Sequence, residues 1–172
     1  MEKERWEGLI RNIPNFPKKG IIFRDITPLL GDGDAFCSAV SHLAKACPAE
    51  TEMVAGIEAR GFIFASAVAN QLRVGFVPIR KAGKLPHRTD KVTYDLEYGT
   101  DTLEVHQESL SKKKNIVLID DLLATGGTAG AACRLLEKVG GHILKAVFLI
   151  ELVNLKGREK IPTCDVSTLI RF

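Results

Sequence analysis

The residues with the clearest chemistry lie in one continuous stretch, residues 116–129, which reads IVLIDDLLATGGTA. An apolar run leads into two adjacent carboxylates, Asp120 and Asp121, and then into a Thr-Gly-Gly-Thr turn before a helical pattern. Glycines in such a turn let backbone N–H groups converge on a phosphate, and the following helix N-terminus adds donors and a positive dipole end. Because like charges repel, the two carboxylates suit sugar hydroxyls or a metal ion instead. The stretch therefore predicts a site for a ribose 5-phosphate.

Other phosphate-binding motifs do not fit this stretch. No Gly-Lys-[Ser/Thr] follows the turn, so it is not a Walker loop, and the G-x-G-x-x-G dinucleotide pattern is also absent. A simpler interpretation is an ordinary strand, turn and helix with solvated acids. Two carboxylates at the end of a strand are common, but their combination with Thr-Gly-Gly-Thr at this spacing favours the phosphate site.

Basic residues follow two other segments that are predicted to be buried strands. Arg60 comes shortly after the apolar run at residues 53–57, and Arg80, Lys81 and Lys84 follow the run at 75–79. An arginine fork can bind two phosphate oxygens, and the lysines add positive charge. A surface salt bridge for Arg60 and a solvated turn for the other three are the simpler alternatives.

An aromatic residue and a carboxylate complete the candidates. An exposed Phe23 would offer a flat apolar surface on which a base could stack, although it could also be a core residue. Glu97 precedes Tyr98 in a predicted hairpin, where a carboxylate could accept a proton from a bound ligand. A solvated strand carboxylate is the alternative for Glu97.

The elements that would position these residues alternate between strand and helix. Apolar periodicity predicts helices at residues 4–13, 34–47, 61–72 and 128–139, with Asp34 capping the second. Strands are predicted at 53–57, 75–79, 92–97, 102–106, 116–119, 146–152 and 166–171, with turns at 27–28 and 112–114. This alternation predicts an α/β fold with a mainly parallel sheet flanked by helices on both faces. In such sheets ligands bind at the carboxyl ends of the strands.

Composition narrows the class of protein. With 172 residues, 45% hydrophobic and 26% charged, the chain is expected to form a single domain, 1–172. A net charge of +3 predicts no nucleic-acid partner, and the lack of a long apolar run predicts no membrane span. The charged N-terminus is unlike a signal peptide, so we expect a cytoplasmic location. Four cysteines without a C-x-x-C pair are interpreted as buried free thiols.

The stretch at 116–129 resembles the phosphoribosyl-pyrophosphate signature of type I phosphoribosyltransferases. Four further segments are similar to the branch of that family that acts on adenine, and they occur in the same order. They are FRDITP at 23–28, Gly61-Phe62, RKAGKLP at 80–86 and LEYG at 96–99. The resemblance covers about residues 13–169. It departs from the common pattern at Ala65, where many relatives have glycine, and at the charged segment 87–90.

The resemblance implies the role of each candidate residue. The ribose hydroxyls would be held by Asp120 and Asp121. The 5-phosphate would lie among Ala124, Thr125, Gly126, Gly127 and Thr128. Pyrophosphate would be bound by Glu58, Ala59, Arg60, Arg80, Lys81 and Lys84, with a peptide in the 58–61 loop that is often cis. Phe23 would stack on the purine while the backbone of Ile22 and Arg24 pairs with its edge. Glu97 would be catalytic and Tyr98 would belong to the lid.

The same resemblance implies the overall reaction and assembly. The 5-phosphoribosyl group would pass from phosphoribosyl pyrophosphate to adenine, giving AMP and pyrophosphate, with Mg²⁺ held mainly by substrate and water and no direct protein ligand. A small N-terminal hood (about 1–33), a flexible β-hairpin lid (about 82–106) and a homodimer are implied as well. Two alternatives remain: a hypoxanthine, guanine or xanthine phosphoribosyltransferase, and a non-catalytic sensor of phosphoribosyl pyrophosphate.

Overall fold

The computed structural model of the chain describes residues 2–95, 99–110 and 114–172. Within these ranges a two-stranded sheet is formed by β1 (Arg11–Pro14) and β2 (Ile22–Asp25). The larger sheet contains β3 (Met53–Ile57), β4 (Gly75–Lys81), β5 (Thr89–Asp95), β6 (Thr100–His106), β7 (Lys114–Leu123), β8 (Gly141–Glu151) and β9 (Asp165–Arg171). Its order is β5-β6-β4-β3-β7-β8-β9. Strands β4, β3, β7, β8 and β9 run parallel, whereas the β5–β6 hairpin is antiparallel.

Helices cover both faces of this sheet. They are α1 (Glu2–Gly8), α2 (Thr27–Gly31), α3 (Gly33–Lys45), α4 (Arg60–Leu72) and α5 (Gly127–Lys138). Successive side chains of a strand point to opposite faces, so in β7 Ile116 and Leu118 pack in the core under α5, whereas Val117 and Ile119 pack in the core under α3 and α4. All four are fully buried, which explains the continuous apolar run. The predicted α/β fold with a mainly parallel sheet between helices is confirmed. No described helix has the length and apolarity needed to span a membrane.

The predicted helix at residues 4–13 is wrong in its second half. Helix α1 ends at Gly8, and β1 then pairs antiparallel with β2, bringing Ile13 opposite Phe23. Trp6 and Ile10 are buried as the pattern predicted, but Ile13 belongs to the strand. The ladder with β2, formed by residues distant in sequence, outweighs the local helical periodicity.

The predictions for three other segments also need correction. Asp32, not Asp34, caps α3: its side chain accepts a hydrogen bond from the Ala35 N–H at 2.9 Å, because its extended backbone places it just before the first turn. Residues 27–28 begin the short helix α2 instead of a turn. Lys114 is the first residue of β7 rather than part of a turn, and residues 112–113 lie outside the described part of the chain.

Strand lengths and cysteine burial differ from expectation as well. β7 continues to Leu123 through its pairing with β8, so Asp120 and Asp121 lie inside a strand instead of after it. Likewise β4 includes the first two basic residues after Ile79. All four cysteines are free, as predicted, but only Cys133 is buried: Cys47 and Cys164 are partly exposed and Cys37 is exposed, where the prediction of a buried thiol is wrong.

Candidate active site

The candidate phosphate-binding residues surround one small pocket at the carboxyl end of β7. It has a volume of about 70 Å³ and is lined by Asp120 and by residues 122–129. Helix α5 begins at Gly127, so the N–H groups of its first turn, which have no acceptors within a helix, are available to an anion there. The pocket thus brings together all five residues of the predicted phosphate loop, 124–128.

The fold requires glycine at one of the two glycine positions of this loop and not at the other. Gly126 has φ +80°, and a Cβ there would lie 2.1 Å from the carbonyl oxygen of Gly157. Gly127 has an ordinary φ, and a Cβ there would meet nothing closer than the Asp95 carbonyl oxygen at 3.5 Å. Only Gly126 is therefore required by the fold itself, since an L side chain is strained at its φ and has no room.

The two carboxylates lie close to the Arg60 guanidinium. Arg60 Nη2 is 2.8 Å from Asp121 Oδ2, yet this buried oxygen accepts no aligned hydrogen bond, so the contact is an ion pair only. Oδ1 of Asp120 accepts a hydrogen bond from the Asp121 N–H at 2.9 Å. A Cβ on Gly61 would lie 2.4 Å from that same Oδ1, so the absence of a side chain at Gly61 makes room for the carboxylate.

Burial raises the pKa of both carboxyl groups. The pKa of Asp120 is raised well above its usual range by burial and by the neighbouring charge of Asp121. Burial also raises the pKa of Asp121, although the Arg60 charge partly offsets it. Part of the Asp120 surface still faces the pocket. Because burial penalises the ionised form of both groups, further partners such as sugar hydroxyls or a cation in the pocket would stabilise it.

Among the predicted pyrophosphate residues, the acidic Glu58 binds the basic ones. The carboxylate of Glu58 accepts hydrogen bonds from the Lys81 N–H at 2.6 Å, from Lys84 Nζ at 3.0 Å and from Arg80 Nη2 at 3.3 Å. Burial would raise the pKa of Glu58, but these donors outweigh it and lower the pKa. The Glu58 side chain therefore organises the basic residues, and only its backbone remains available to an anion. The Glu58–Ala59 peptide is cis, in line with the resemblance.

Two of the cations in this region have other partners. Lys81 Nζ forms an ion pair with Asp101 Oδ2 at 3.0 Å, which turns its side chain towards the β5–β6 hairpin. The Arg60 side chain begins at the first residue of α4 and, besides Asp121, donates to the Arg24 carbonyl oxygen at 3.2 Å. Arg60 thus links the strand of the predicted base site to the carboxylate pair.

A larger cleft of about 510 Å³ adjoins the phosphate pocket. Ile22, Phe23 and Arg24 form one wall. Phe23 is half-buried, and the Arg60 guanidinium lies 4.9 Å from the centre of its ring, so it is a cleft residue and not a member of the core. The cleft and the phosphate pocket share Leu122, Ala124 and Thr125, so the two lie side by side.

Sequence patterns did not reveal other residues that line the cleft. Leu152, Asn154, Leu155 and Phe172 belong to its lining, and the centre of the Phe172 ring lies 3.9 Å from the Arg24 guanidinium. None of these residues has a distinctive neighbourhood in sequence. Tyr94 was also missed: its hydroxyl accepts a hydrogen bond from Thr128 Oγ1 at 3.2 Å. The chain path from β8 to the end of β9 brings Leu152, Leu155 and Phe172 to the cleft, whereas Tyr94 reaches the phosphate loop from β5.

The predicted catalytic residue Glu97 and the lid residue Tyr98 lie outside the described residues. The neighbouring part of the hairpin is described. Tyr94 and Asp95, near the end of β5, lie beside the phosphate loop, as the Thr128 hydrogen bond and the Gly127 environment show. The end of β5 that leads into residues 96–99 is therefore adjacent to the pocket.

Comparisons with known proteins agree with this geometry. A family model described as phosphoribosyl transferase domain matches residues 30–170. The adenine phosphoribosyltransferase of Christiangramia forsetii is 51% identical over 167 residues, covering 96% of this chain and 98% of the relative. That of Thermoanaerobacter sp. is 49% identical over 173 residues, with complete coverage of both chains.

Solved structures lead to the same family. The crystal structure of adenine phosphoribosyltransferase from Thermoanaerobacter pseudethanolicus has a TM-score of 0.94 and 47% identity, covering 99% of both chains. The structure from Giardia lamblia complexed with 9-deazaadenine has a TM-score of 0.92 and 41% identity, covering 100% of this chain and 98% of the other. The chain therefore belongs to the phosphoribosyltransferase family and, within it, to the adenine phosphoribosyltransferases.

Proposed function

We propose that this cleft transfers the 5-phosphoribosyl group from phosphoribosyl pyrophosphate to adenine, producing AMP and pyrophosphate, and so salvages the purine. The observation that carries the proposal is the adjacency of the two cavities, which share Leu122, Ala124 and Thr125 in their linings. A base in the larger cleft and a phosphate in the smaller pocket would be neighbours, with Asp120 in the lining of the smaller pocket. This is the arrangement of base, ribose and 5-phosphate in a nucleotide.

Adenine would stack on Phe23 and pair with the backbone of β2. In a strand, the N–H and C=O of one residue point to the same side, and alternate residues share that side. The Arg24 carbonyl accepts from Arg60 on the side away from β1, so the backbone groups of Ile22 and Arg24 both face away from β1. They offer donors and acceptors to the edge of a purine, while Phe23 would supply the stacking surface.

The donor would bind across the carboxylates. The loop at 124–128 would hold the 5-phosphate, and Asp120 with Asp121 would accept the ribose hydroxyls. The backbone of Glu58 and Ala59, together with Arg60, Arg80, Lys81 and Lys84, would bind the pyrophosphate. Hydroxyl donors would stabilise the ionised carboxylates, which burial penalises in the free protein.

Glu97 is proposed as the residue that accepts or shares the ring proton of adenine as its nitrogen attacks the sugar carbon. The hairpin that carries Glu97 and Tyr98 would close over the site and exclude water, which would otherwise hydrolyse the oxocarbenium-like transition state. The position of Tyr94 and Asp95 beside the phosphate loop supports this arrangement. A hairpin that reaches the phosphate loop with this end of β5 would be placed to close over the smaller pocket.

A magnesium ion fits this site if the substrate supplies most of its oxygen ligands. Among the described residues, no three His, Cys, Asp or Glu side chains cluster to hold a metal. The donor's ribose hydroxyls and pyrophosphate would supply the hard oxygen atoms that Mg²⁺ prefers, since Asp121 Oδ2 is buried against the Arg60 guanidinium. When bound, the ion would neutralise the charge of the departing pyrophosphate. Asp120 and Asp121 would orient the ribose oxygens beside it.

A cytoplasmic homodimer is part of the proposal. The resemblance places part of the basic segment 80–86 at the neighbouring subunit's site. In this chain, the Glu58 carboxylate accepts hydrogen bonds from Arg80 and Lys84 of that segment. Light scattering coupled to gel filtration would test the assembly. A mass of one chain at micromolar concentration would refute the dimer.

The function is tested by mixing the protein with phosphoribosyl pyrophosphate, magnesium and one of adenine, hypoxanthine, guanine or xanthine. We expect AMP from adenine and no nucleotide from the oxopurines. Nucleotide from an oxopurine would leave the donor site in place and overturn the base assignment. Binding of phosphoribosyl pyrophosphate without turnover would instead identify a sensor.

A further inference from the structure

The short 3₁₀ helix Gly157–Lys160 packs directly on the backbone of the phosphate loop. A Cβ on Gly126 would lie 2.1 Å from the Gly157 carbonyl oxygen, and one on Gly157 would lie 2.4 Å from the Ala124 carbonyl oxygen. A Cβ on Gly130 would come within 2.6 Å of the Lys160 carbonyl oxygen. Backbone meets backbone at three points with no side chain between, so the path of the loop depends on the position of this 3₁₀ helix.

One side chain anchors the 3₁₀ helix to the sheet. Arg158 donates from Nε to Glu151 Oε1 at 2.6 Å and from Nη2 to Glu151 Oε2 at 2.8 Å, a two-pronged ion pair. Its Nη1 donates to the Val166 carbonyl oxygen at 2.7 Å, so the same guanidinium contacts both β8 and β9. Glu151 is only 4% exposed, whereas the Arg158 side chain is 37% exposed, so the carboxylate is the buried member of the pair.

The environment of Glu151 keeps this anchor charged. Its Oε2 also accepts from Thr168 Oγ1 at 2.9 Å and from Arg171 Nε at 3.0 Å. Chiefly through Arg158, the pKa of Glu151 falls to about 2. Ionisation of the pair is therefore constant over the pH range in which an enzyme of this kind is assayed. Neither Glu151 nor Arg158 lines the phosphate pocket or the base cleft.

We propose that Arg158 and Glu151 are positioning residues that fix the 5-phosphate loop through the Gly157–Lys160 helix, and so set the affinity for the phosphoribosyl donor. The inference rests on the proposed role of residues 124–128. Without Arg158 the 3₁₀ helix would still be held at its C-terminal end by buried Ile161, but the arginine side chain would no longer fix the position of Gly157 against Gly126. Donors that converge on a phosphate are sensitive to small displacements, so the effect should fall on one substrate only.

The test compares three variants with the wild-type protein: Arg158→Ala, Glu151→Gln and the control Arg171→Ala. Arg171 donates to the same carboxylate, but from β9 rather than from the 3₁₀ helix, so it matches Arg158 in chemistry and not in position. We expect Arg158→Ala and Glu151→Gln to raise the KM for phosphoribosyl pyrophosphate by about 10-fold or more. The KM for adenine should change less than about two-fold, kcat little, and the control should behave like the wild type.

A purely structural role would give a different pattern. If Arg158→Ala lowers Tm but leaves the donor KM unchanged, or raises both KM values equally, the proposal is overturned. The same conclusion follows if Arg171→Ala raises the donor KM as much as Arg158→Ala. Should Arg158→Ala fail to fold, Arg158→Lys, which keeps the charge without the fork, should give an intermediate donor KM, and an unchanged one would overturn the proposal.

Binding measured without turnover separates this inference from the proposed function. Calorimetric titration with ribose 5-phosphate reports the loop directly, and we expect the dissociation constant to rise in Arg158→Ala by the same factor as the donor KM. Wild-type protein that binds ribose 5-phosphate but makes no AMP would refute the proposed reaction alone. Wild-type protein that binds neither ribose 5-phosphate nor phosphoribosyl pyrophosphate would overturn both proposals.

Discussion

Gly126→Ala tests whether the phosphate loop is shaped by close backbone packing. The substitution adds a single methyl group to a residue with φ +80°, where it would lie 2.1 Å from the Gly157 carbonyl oxygen. Neither the loop nor the Gly157–Lys160 helix can relieve this contact by rotating a side chain, because both partners are backbone. The conformation or the contact must therefore change.

The magnitude follows from two contributions. An L residue in the left-handed region costs about 1–2 kcal/mol, and forcing a carbon into a packed site costs about 1–3 kcal/mol. We expect the free energy of unfolding to fall by about 3.5 kcal/mol, the middle of the combined range of about 2–5 kcal/mol. For a chain of this length, that corresponds to a decrease in Tm of roughly 7–14 °C.

The adjacent glycine provides the matched control. Gly127→Ala adds the same methyl group at a residue with an ordinary φ, where the nearest atom is 3.5 Å away. In the ligand-free protein its free energy of unfolding should change by less than about 1 kcal/mol. Urea unfolding of both variants without substrate measures the difference.

Equal stabilities would refute this reasoning. They would mean that the loop adapts to a Cβ at Gly126 and that its packing on Gly157 does not constrain it. A second measurement follows the consequence for binding: the donor KM of Gly126→Ala should rise by about 10-fold or more, since the loop donors would be displaced.

Three further predictions concern the reacting groups. Glu97→Gln should lower kcat by roughly 10²-fold or more in a steady-state assay, because the amide cannot accept the adenine proton. Phe23→Ala should raise the KM for adenine by about 10-fold, the equivalent of one lost stacking contact, with the donor KM unchanged; Phe16→Ala, which removes only the ring that packs edge-on against Phe23, should have a smaller effect. Asp120→Asn should abolish donor binding in calorimetry yet raise the Tm of the ligand-free protein at pH 7. The pKa of Asp120 is raised in the folded state, so its ionisation opposes folding at neutral pH.

Each of these has a contrary result. An unchanged kcat would remove Glu97 from the mechanism, and equal adenine KM values for the two phenylalanine variants would remove the stacking role. For Asp120 the sign depends on pH: the stability gained by the asparagine should shrink as pH falls through the raised pKa and vanish below about 3.9, the value of an unperturbed Asp. A lower Tm for Asp120→Asn at pH 7 would show that the ionised carboxylate stabilises the free protein.

What the sequence determined by itself was the local chemistry and the fold class. The buried run at 116–119 and the Thr-Gly-Gly-Thr turn are contiguous, so their period, their glycines and the following helix N-terminus predict a loop suited to a phosphate from local sequence alone. The close packing of Gly126 on Gly157 is added by the fold. The alternation of strands and helices specified the parallel sheet in the same way, because each element carries its own apolar pattern.

Contacts between residues of different elements depend on the folded chain and could not be predicted from local sequence. Residues 11–14 form a strand because β2 lies beside them, and Glu58 turns its carboxylate to the cations of the following strand. The parallel pairing of β8 and β9 places Phe172 in the base cleft and Arg158 beside the loop around Gly126. These contacts join segments far apart in the chain. No local pattern encodes them, since their stability comes from burial and geometry created by the whole fold.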